Sequence, residues 1–325
     1  MIPTFEQLAD WAEAELRAAR YQLRGRAELV KERAWGMVLR LPTEAGNFYA
    51  KANCDGLAAE AALYDLLRTR APEHIVSVVA TRPVEGWMLL ADGGRVLGDD
   101  PYTPTQWARA LTEYAALQRH LEPDVDAMLA CGILDARPTA LLARWEELLE
   151  HPGLKHGERN GISQAEADAL RRLTPRVAKW GESLTTSVVA MTIQHDDVHP
   201  RNVFAADGRI FDWGDACIAH PFASLLTALQ FVRPQVEGKQ SPESVTLLHS
   251  PDGEVAGVIK AYLTAWLELA SLEQLRREAA VAIQLAPIGR ALNWARIPGA
   301  GGEFEPPAMA GWMRRMLASA ECSDI

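Results

Sequence analysis

The sequence predicts an α+β protein of two lobes, a small β-rich lobe followed by a larger helical one. Three observations carry that expectation. The chain has 325 residues, more than one ordinary hydrophobic core accommodates. Apolar residues sit in short strand-like runs between Glu28 and Leu90, then fall at helical spacing from Thr103 onward. A dense polar segment around His195–Asn202 interrupts the helical part.

The elements follow in order. Thr4 can cap a helix to Ala19, with Phe5, Leu8, Trp11, Ala12 and Leu16 at helical spacing. Glu28–Lys31, Met37–Leu41 and Asn47–Ala52 read as strands, with Pro42–Gly46 as the turn between the last two. A helix over 56–70 carries an apolar stripe at Leu57, Ala61, Tyr64 and Leu67, and Ile75–Ala80 and Trp87–Leu90 read as two further strands. Helical patterns then cover 103–121, 137–150, 163–184, 221–233, 252–269 and 271–295. Within the interruption at 193–215, Val203–Ala205 and Arg209–Phe211 predict a tight hairpin around Asp207-Gly208. Gly93-Gly94 is a natural hinge, so the lobes are expected at 1–92 and 93–325.

Composition narrows the function classes. A net charge of −10 without any Lys/Arg run gives no basic face for nucleic acid. The four cysteines, Cys54, Cys131, Cys217 and Cys322, are far apart, which argues against a zinc site or a disulfide framework. The acidic, amphipathic start lacks the pattern of a secretory signal, and no apolar run approaches the ~18 residues of a membrane span. The expectation is therefore a cytoplasmic protein with neither a nucleic-acid nor a membrane partner.

The chemistry concentrates in Gln194-His195-Asp196-Asp197-Val198-His199-Pro200-Arg201-Asn202, followed ten residues later by Asp212-Trp213-Gly214-Asp215. So many carboxylates and carboxamides beside a hairpin are costly unless paired or bound to a cation. Phosphoryl transfer uses such a set: one carboxylate near the attacking hydroxyl, and one carboxylate with one carboxamide oxygen to hold Mg²⁺ against the phosphates. His195 and His199 also have a metal-pair spacing, but Pro200 and the hairpin argue against the helix such a pair needs. Asp196 reads as a solvated neighbour, and Asp215 either orients substrate or caps the following helix.

His-x-Asp-x₄-Asn with a later Asp-x-Gly resembles the protein-kinase catalytic signature. The wording HDDVHPRNVF…FDWGD resembles the aminoglycoside phosphotransferase-like family, small-molecule O-phosphotransferases of protein-kinase-like fold. The resemblance runs from about Glu28 to at least Leu226. It implies Asp197 as catalytic base or orienter, Asn202 and Asp212 as Mg²⁺ ligands, and His195 as a brace of the loop. It further implies that Lys51, ending a strand, pairs with Glu60 on the following helix to hold the nucleotide phosphates. By the same resemblance Trp87–Gly93 is the interlobe segment, with Met88 as gatekeeper and the Leu89 C=O and Ala91 N–H as adenine contacts. The sequence departs from the wider kinase pattern at Glu32-Arg33-Ala34-Trp35-Gly36, which has one glycine where a Gly-rich loop is usual, and in the short Asp197–Asp212 interval.

After Asp215 the chain enters a helix at once and shows no A-P-E, so it has no room for the segment on which a protein substrate docks. A hydroxylated small-molecule substrate is expected, with ATP or GTP as phosphate donor and Mg²⁺ as cofactor, and no protein substrate. The acceptor class stays open between an aminoglycoside or other antibiotic and a metabolite such as an amino alcohol, a sugar or a homoserine-like compound. A catalytically inactive kinase-fold binding protein is the alternative of another class; the presence of Lys51, Asp197, Asn202 and Asp212 argues against it. Trp266, Trp294 and Trp312 are expected as pocket walls, Gly299–Gly302 as a loop, and Glu303 and Glu305 as surface acids.

Overall fold

Thr4 opens the first helix, α1 (Phe5–Ala18). Its hydroxyl accepts from the Gln7 N–H while the Gln7 carboxamide accepts from the Thr4 N–H, a reciprocal cap that satisfies two otherwise orphaned donors. A computed structural model of the chain describes residues 2–154, 161–232, 244–250, 252–297 and 308–321. Leu8, Trp11, Ala12 and Leu16 of α1 bury against one face of a five-stranded sheet. Its strands are β1 (Glu28–Arg33), β2 (Gly36–Thr43), β3 (Gly46–Asn53), β4 (Val78–Arg82) and β5 (Trp87–Ala91), in the order β1-β2-β3-β5-β4 and antiparallel throughout.

The pleat divides these strands between two environments. Met37, Leu39 and Leu41 of β2, Phe48, Ala50 and Ala52 of β3, and Leu89 of β5 point toward α1. Their neighbours Val38, Tyr49, Lys51 and Leu90 line a cleft on the other face, as the two-residue period requires. On that face α2 (Ala59–Arg70) contributes Ala61, Tyr64 and Leu67 to a core that runs on into the second lobe.

The second lobe is helical. It contains α3 (Pro104–His120), α4 (Val125–Ala130), α5 (Pro138–Leu149), α6 (Gln164–Thr185), α7 (Leu225–Ala228), α8 (Ser244–Leu248), α9 (Gly253–Leu263), α10 (Leu272–Ala295) and α11 (Ala308–Glu321). A three-stranded sheet, β6 (Leu134–Asp135), β7 (Thr192–Gln194) and β8 (Cys217–Ala219), lies among them in the order β6-β8-β7. Polar side chains of α3 set its position. Gln118 donates to the Ile193 carbonyl at 2.7 Å, Thr192 donates back to the Gln118 carbonyl, and Tyr114 accepts from the His195 N–H at 2.9 Å. Among the described residues no helix is long and apolar enough to cross a membrane.

The two-lobed α+β architecture agrees with the sequence expectation, and four local readings change. The expected hairpin at 203–211 shrinks to a single bridge, Val203 to Ile210, and the same segment also pairs on its other side, where Phe204 bridges Val96, the Leu97 N–H donates to the Val203 carbonyl and the Ala205 N–H to the Arg95 carbonyl. The strand expected from Ile75 begins at Val78, and Ile75 instead bridges Ile210. The helix expected over 221–233 divides into short 3₁₀ and α pieces over 221–231. Trp266 is not a pocket wall. It is fully buried, edge-on to Phe222 at 5.0 Å and tilted against Tyr262 at 5.3 Å. Residues 299–303 and Glu305 lie outside the described residues.

Trp266→Ala should therefore cost about 3–5 kcal/mol of folding stability, the range for emptying a large buried aromatic site. Urea unfolding monitored by circular dichroism measures it, and a loss under about 1 kcal/mol would contradict the core placement.

Candidate active site

The cleft between the lobes is shaped by residues from separate parts of the chain. Val30, Val38, Tyr49, Val76 and Leu90 form its upper part and Phe204 and Phe211 its floor, around a cavity of ≈300 Å³. The two phenylalanine rings stack at 4.7 Å between centroids. Gly93 lies flat on this floor: a Cβ there would meet the tip of the Phe204 ring at 2.1 Å, so a larger residue would have to displace that ring.

Lys51, Glu60 and Asp212 close the inner end of the cleft. Lys51 Nζ sits 2.6 Å from Glu60 Oε2 and also pairs with Asp212 Oδ1. Glu60 is fully buried in α2 and accepts a second bond, 2.6 Å, from Asn53 Nδ2. Burial works against the charge on Lys51, but the two carboxylates outweigh it and raise its pKa. Burial raises the pKa of Glu60 against the pull of Lys51, whereas the Lys51 charge holds that of Asp212 low. Gly214 completes the approach, since a Cβ there would come within 3.2 Å of Glu60 Oε2.

The polar loop lies below. His195 is fully buried, and its Nδ1 accepts from the Asp197 N–H at 3.3 Å, which leaves Nε2 to donate to the Phe211 carbonyl at 2.8 Å. One neutral imidazole, its pKa lowered by burial, thus ties the loop of Asp197 to the residue before Asp212. Asn202 Nδ2 donates to the Asp197 carbonyl at 3.0 Å. Asp212 has a left-handed backbone with φ 65°, a conformation that aspartate tolerates better than most residues.

A second compartment of ≈200 Å³ opens beside Asp197, Asp212 and Asp215, walled by Trp35, Leu57, Trp294 and Ile297. Trp35, in the turn between β1 and β2, meets Trp294 of α10 edge-on at 5.5 Å. Nearby, a Cβ on Gly56 would lie 1.9 Å from the Arg296 carbonyl, so the first lobe touches the end of α10 directly. Trp294 is therefore a pocket wall as expected, whereas Trp312 stacks on the Arg290 guanidinium at 5.1 Å.

Lys51, Glu60, Asp197 and Asp212 border these two adjacent spaces, which share Lys51 and Asp212 as lining, and Asn202 is bonded to the Asp197 carbonyl. Leu89 and Ala91 do not fit their expected roles. Leu89 is an interior residue of β5, paired with Ala50 on one side and Ala80 on the other, and its side chain is on the α1 face. The Ala91 N–H is spent on the Ser77 carbonyl at 2.9 Å. Met88 is fully buried, and Leu90 takes the cleft position expected for it. The backbone that borders the cavity is that of Leu90–Gly93, one to two residues further along.

The reading of Asp196 as solvated also fails. Its side chain is buried, its backbone is left-handed at φ 63°, and Asn293 Nδ2 donates to its Oδ2 at 2.8 Å. Burial pushes its carboxyl up to about 7 against the attraction of Arg290. Asp215 pairs with Arg290 and does not cap a helix. Arg290 and Asn293 were missed because they lie some ninety residues downstream of the loop, in a helix whose pattern reads only as packing.

A lysine–glutamate pair over a loop carrying Asp197, Asn202 and Asp212, between a small sheet and a helical lobe, defines the class of kinase-like phosphotransferases. The model of the phosphotransferase enzyme family matches residues 14–278, and the chain belongs to that family. Three solved structures of similar fold are a macrolide 2′-phosphotransferase type I, the choline kinase LicA from Streptococcus pneumoniae, and a spectinomycin phosphotransferase in complex with ADP and spectinomycin. The first shares 12% identity over 97% of this chain and 98% of its own, at TM-score 0.56. The second shares 13% over 98% and 100%, at 0.59, and the third 11% over 96% and 98%, at 0.50. No curated protein matches the chain in sequence.

Lys51→Ala should strand Glu60 in the interior without its cation, a loss of about 3–5 kcal/mol. Glu60 then holds its proton more tightly folded than unfolded. Stability is greatest below the ordinary glutamate value of 4.5 and falls as pH rises toward the raised folded value. Thermal melts from about pH 4.5 to 8 should show the variant's Tm dropping more steeply with pH than the wild type's. Parallel curves would contradict the burial of Glu60.

Proposed function

We propose that this phosphotransferase moves the γ-phosphate of ATP or GTP onto a hydroxyl of a small molecule, using Asp197, Lys51, Glu60, Asn202 and Asp212. The observation that carries the reading is the convergence of the buried Lys51–Glu60 pair and Asp212 on the inner end of a cleft whose other walls are mostly apolar and aromatic, with Lys31 and Asp92 also lining it. A flat apolar slot suits a purine, and a fixed ammonium at its end suits the phosphates.

The side chains divide the work. Glu60 fixes the Lys51 ammonium, which meets the phosphate oxygens. The Leu90–Gly93 backbone supplies the cleft edge at which a base can be read. The donors at the metal position are all oxygen, the set a hard cation prefers. Asn202 spends its amide N–H on the Asp197 carbonyl, which leaves the carboxamide oxygen, and the Asp212 side chain is 45% exposed to the cleft. Asn202 and Asp212 would hold Mg²⁺, which supplies neutralisation of the charge on the transferring phosphoryl group. Asp197 accepts the hydroxyl proton as the acceptor oxygen bonds to the γ-phosphorus. The bridging P–O bond breaks with its electron pair on the departing diphosphate.

The acceptor lies in the second compartment. Chain continuity favours a small molecule there, because β8 begins at Cys217, two residues after Asp215, and leaves no docking segment. The acceptors named for similar folds, a macrolide, choline and spectinomycin, belong to those proteins and define a first panel to test here. Mg²⁺-ATP and Mg²⁺-GTP should each be offered with that panel and with other amino alcohols and aminoglycosides.

Asp197→Ala should lower turnover by about 10²–10⁴-fold, the range for a lost acid–base group, with nucleotide affinity unchanged within a few-fold. Unaltered turnover would remove Asp197 from the chemistry. Asp212→Ala should weaken Mg²⁺-nucleotide binding and turnover together, read by calorimetric titration. A normal Mg²⁺ dependence would count against its place at the metal.

A further inference from the structure

The family match ends at residue 278, and α10 then carries a cation that the motifs do not contain. The Arg290 side chain is only 10% exposed. Its Nη2 lies 3.0 Å from Asp197 Oδ1, and its Nη1 lies 3.2 Å from Asp215 Oδ2 and 3.0 Å from the Asp196 carbonyl. One guanidinium therefore joins the loop that carries Asp197 to the segment after Asp212. Trp312 of α11 covers its face. Asn293, three residues on and so on the same face of α10, donates to Asp196 Oδ2 and to the Asp215 carbonyl at 2.7 Å. On the far side of Asp197, His199 Nε2 stands 3.4 Å from Oδ2.

The anchoring of α10 already has its own residue in Asn293, which bonds both segments without a charge. Arg290 instead spends its two Nη groups on the two carboxylates that border the acceptor compartment, each about a third exposed to it. A planar fork fixes the rotation of a carboxylate, which a point charge does not. Without it Asp197 and Asp215 would each lose their arginine partner in a corner that Asp196 also shares.

We propose that Arg290 is a positioning residue of the transfer reaction: it holds Asp197 by Oδ1, tied to Asp215, while His199 stands at Oδ2, so that the carboxylate keeps one orientation at the edge of the acceptor compartment. The inference rests on the assignment of Asp197 as the group that receives the acceptor hydroxyl. A one-ångström error at the reacting atoms is enough to cost about a hundredfold in rate, which sets the scale of the expected effect.

The test uses the full chain, Mg²⁺-ATP, and as acceptors water, spectinomycin, choline and a macrolide. Arg290→Gln and Arg290→Lys should both lower kcat by about tenfold or more while KM for ATP stays within about threefold, since neither residue keeps the fork. In Arg290→Ala, millimolar guanidinium should restore part of kcat without raising Tm, which a purely structural role would not do. Should the glutamine variant fail to fold, the lysine variant carries the measurement. Lysine or glutamine variants with kcat within about threefold of wild type would overturn the proposal. So would a loss that follows Tm and resists guanidinium. A folded wild type that turns over ATP with none of these acceptors would instead bring down the underlying assignment, and this inference with it.

Discussion

The buried pair of Lys51 and Glu60 is the constraint on which the rest of the site depends. A fully buried, ionised glutamate requires a cation within hydrogen-bond reach, so α2 sits where β3 ends, and the segment at Asp212 arrives at the same ammonium. Several features serve that meeting. Asn53 supplies a second donor to Glu60, and Gly214 lets the chain pass beside the carboxylate. The left-handed turn at Asp212 points its side chain back toward the lysine. His195 fixes the distance between the two polar segments by bonding one main-chain group in each.

The second lobe supplies an orthogonal set of contacts through α10. Along a few turns this helix presents Gly289 and Asn293 to Asp196, Arg290 to Asp197 and Asp215, Trp294 to Trp35, and the Arg296 carbonyl to Gly56. The carboxylates of the polar loop are thus divided by partner. Asp212 answers to a lysine of the sheet, and Asp196, Asp197 and Asp215 answer to a helix of the other lobe. Opposite charges that come from different lobes give each carboxylate a distinct place, although the four lie within twenty residues of one another.

Much of the fold was legible in the sequence because its signals were local. The helix starts expected at Thr4 and near 103 and 163 are where the helices begin, and the structure closes all three as reciprocal caps, Thr4 with Gln7, Thr103 with Gln106 and Ser163 with Glu166. The two-residue alternation of β2 and β3 placed Lys51 on the face opposite Ala50. What failed depended on register or on distance along the chain. A one- or two-residue offset in β5 is invisible in Trp87-Met88-Leu89-Leu90-Ala91, where every side chain is apolar; only pairing with Tyr49 and Lys51 fixes which ones face the cleft. The environment of Asp196 is set by Asn293 and Arg290, so no window around the loop could reveal its burial. Trp266 and Trp294 have similar sequence surroundings, and tertiary packing alone makes one a core anchor and the other a wall.

The edge contact of Trp35 with Trp294 crosses the cleft entrance away from the Gly93–Gly94 connection, so the lobes are joined on both sides. An aromatic pair of this kind contributes about 0.5–1.5 kcal/mol, a factor of about ten at most in an equilibrium. It is a light contact, set beside the close approach of Gly56 to the Arg296 carbonyl, another point at which the first lobe meets the end of α10. In a chain whose corresponding turn has one glycine, that turn is held by an indole set edge-on against the opposite lobe.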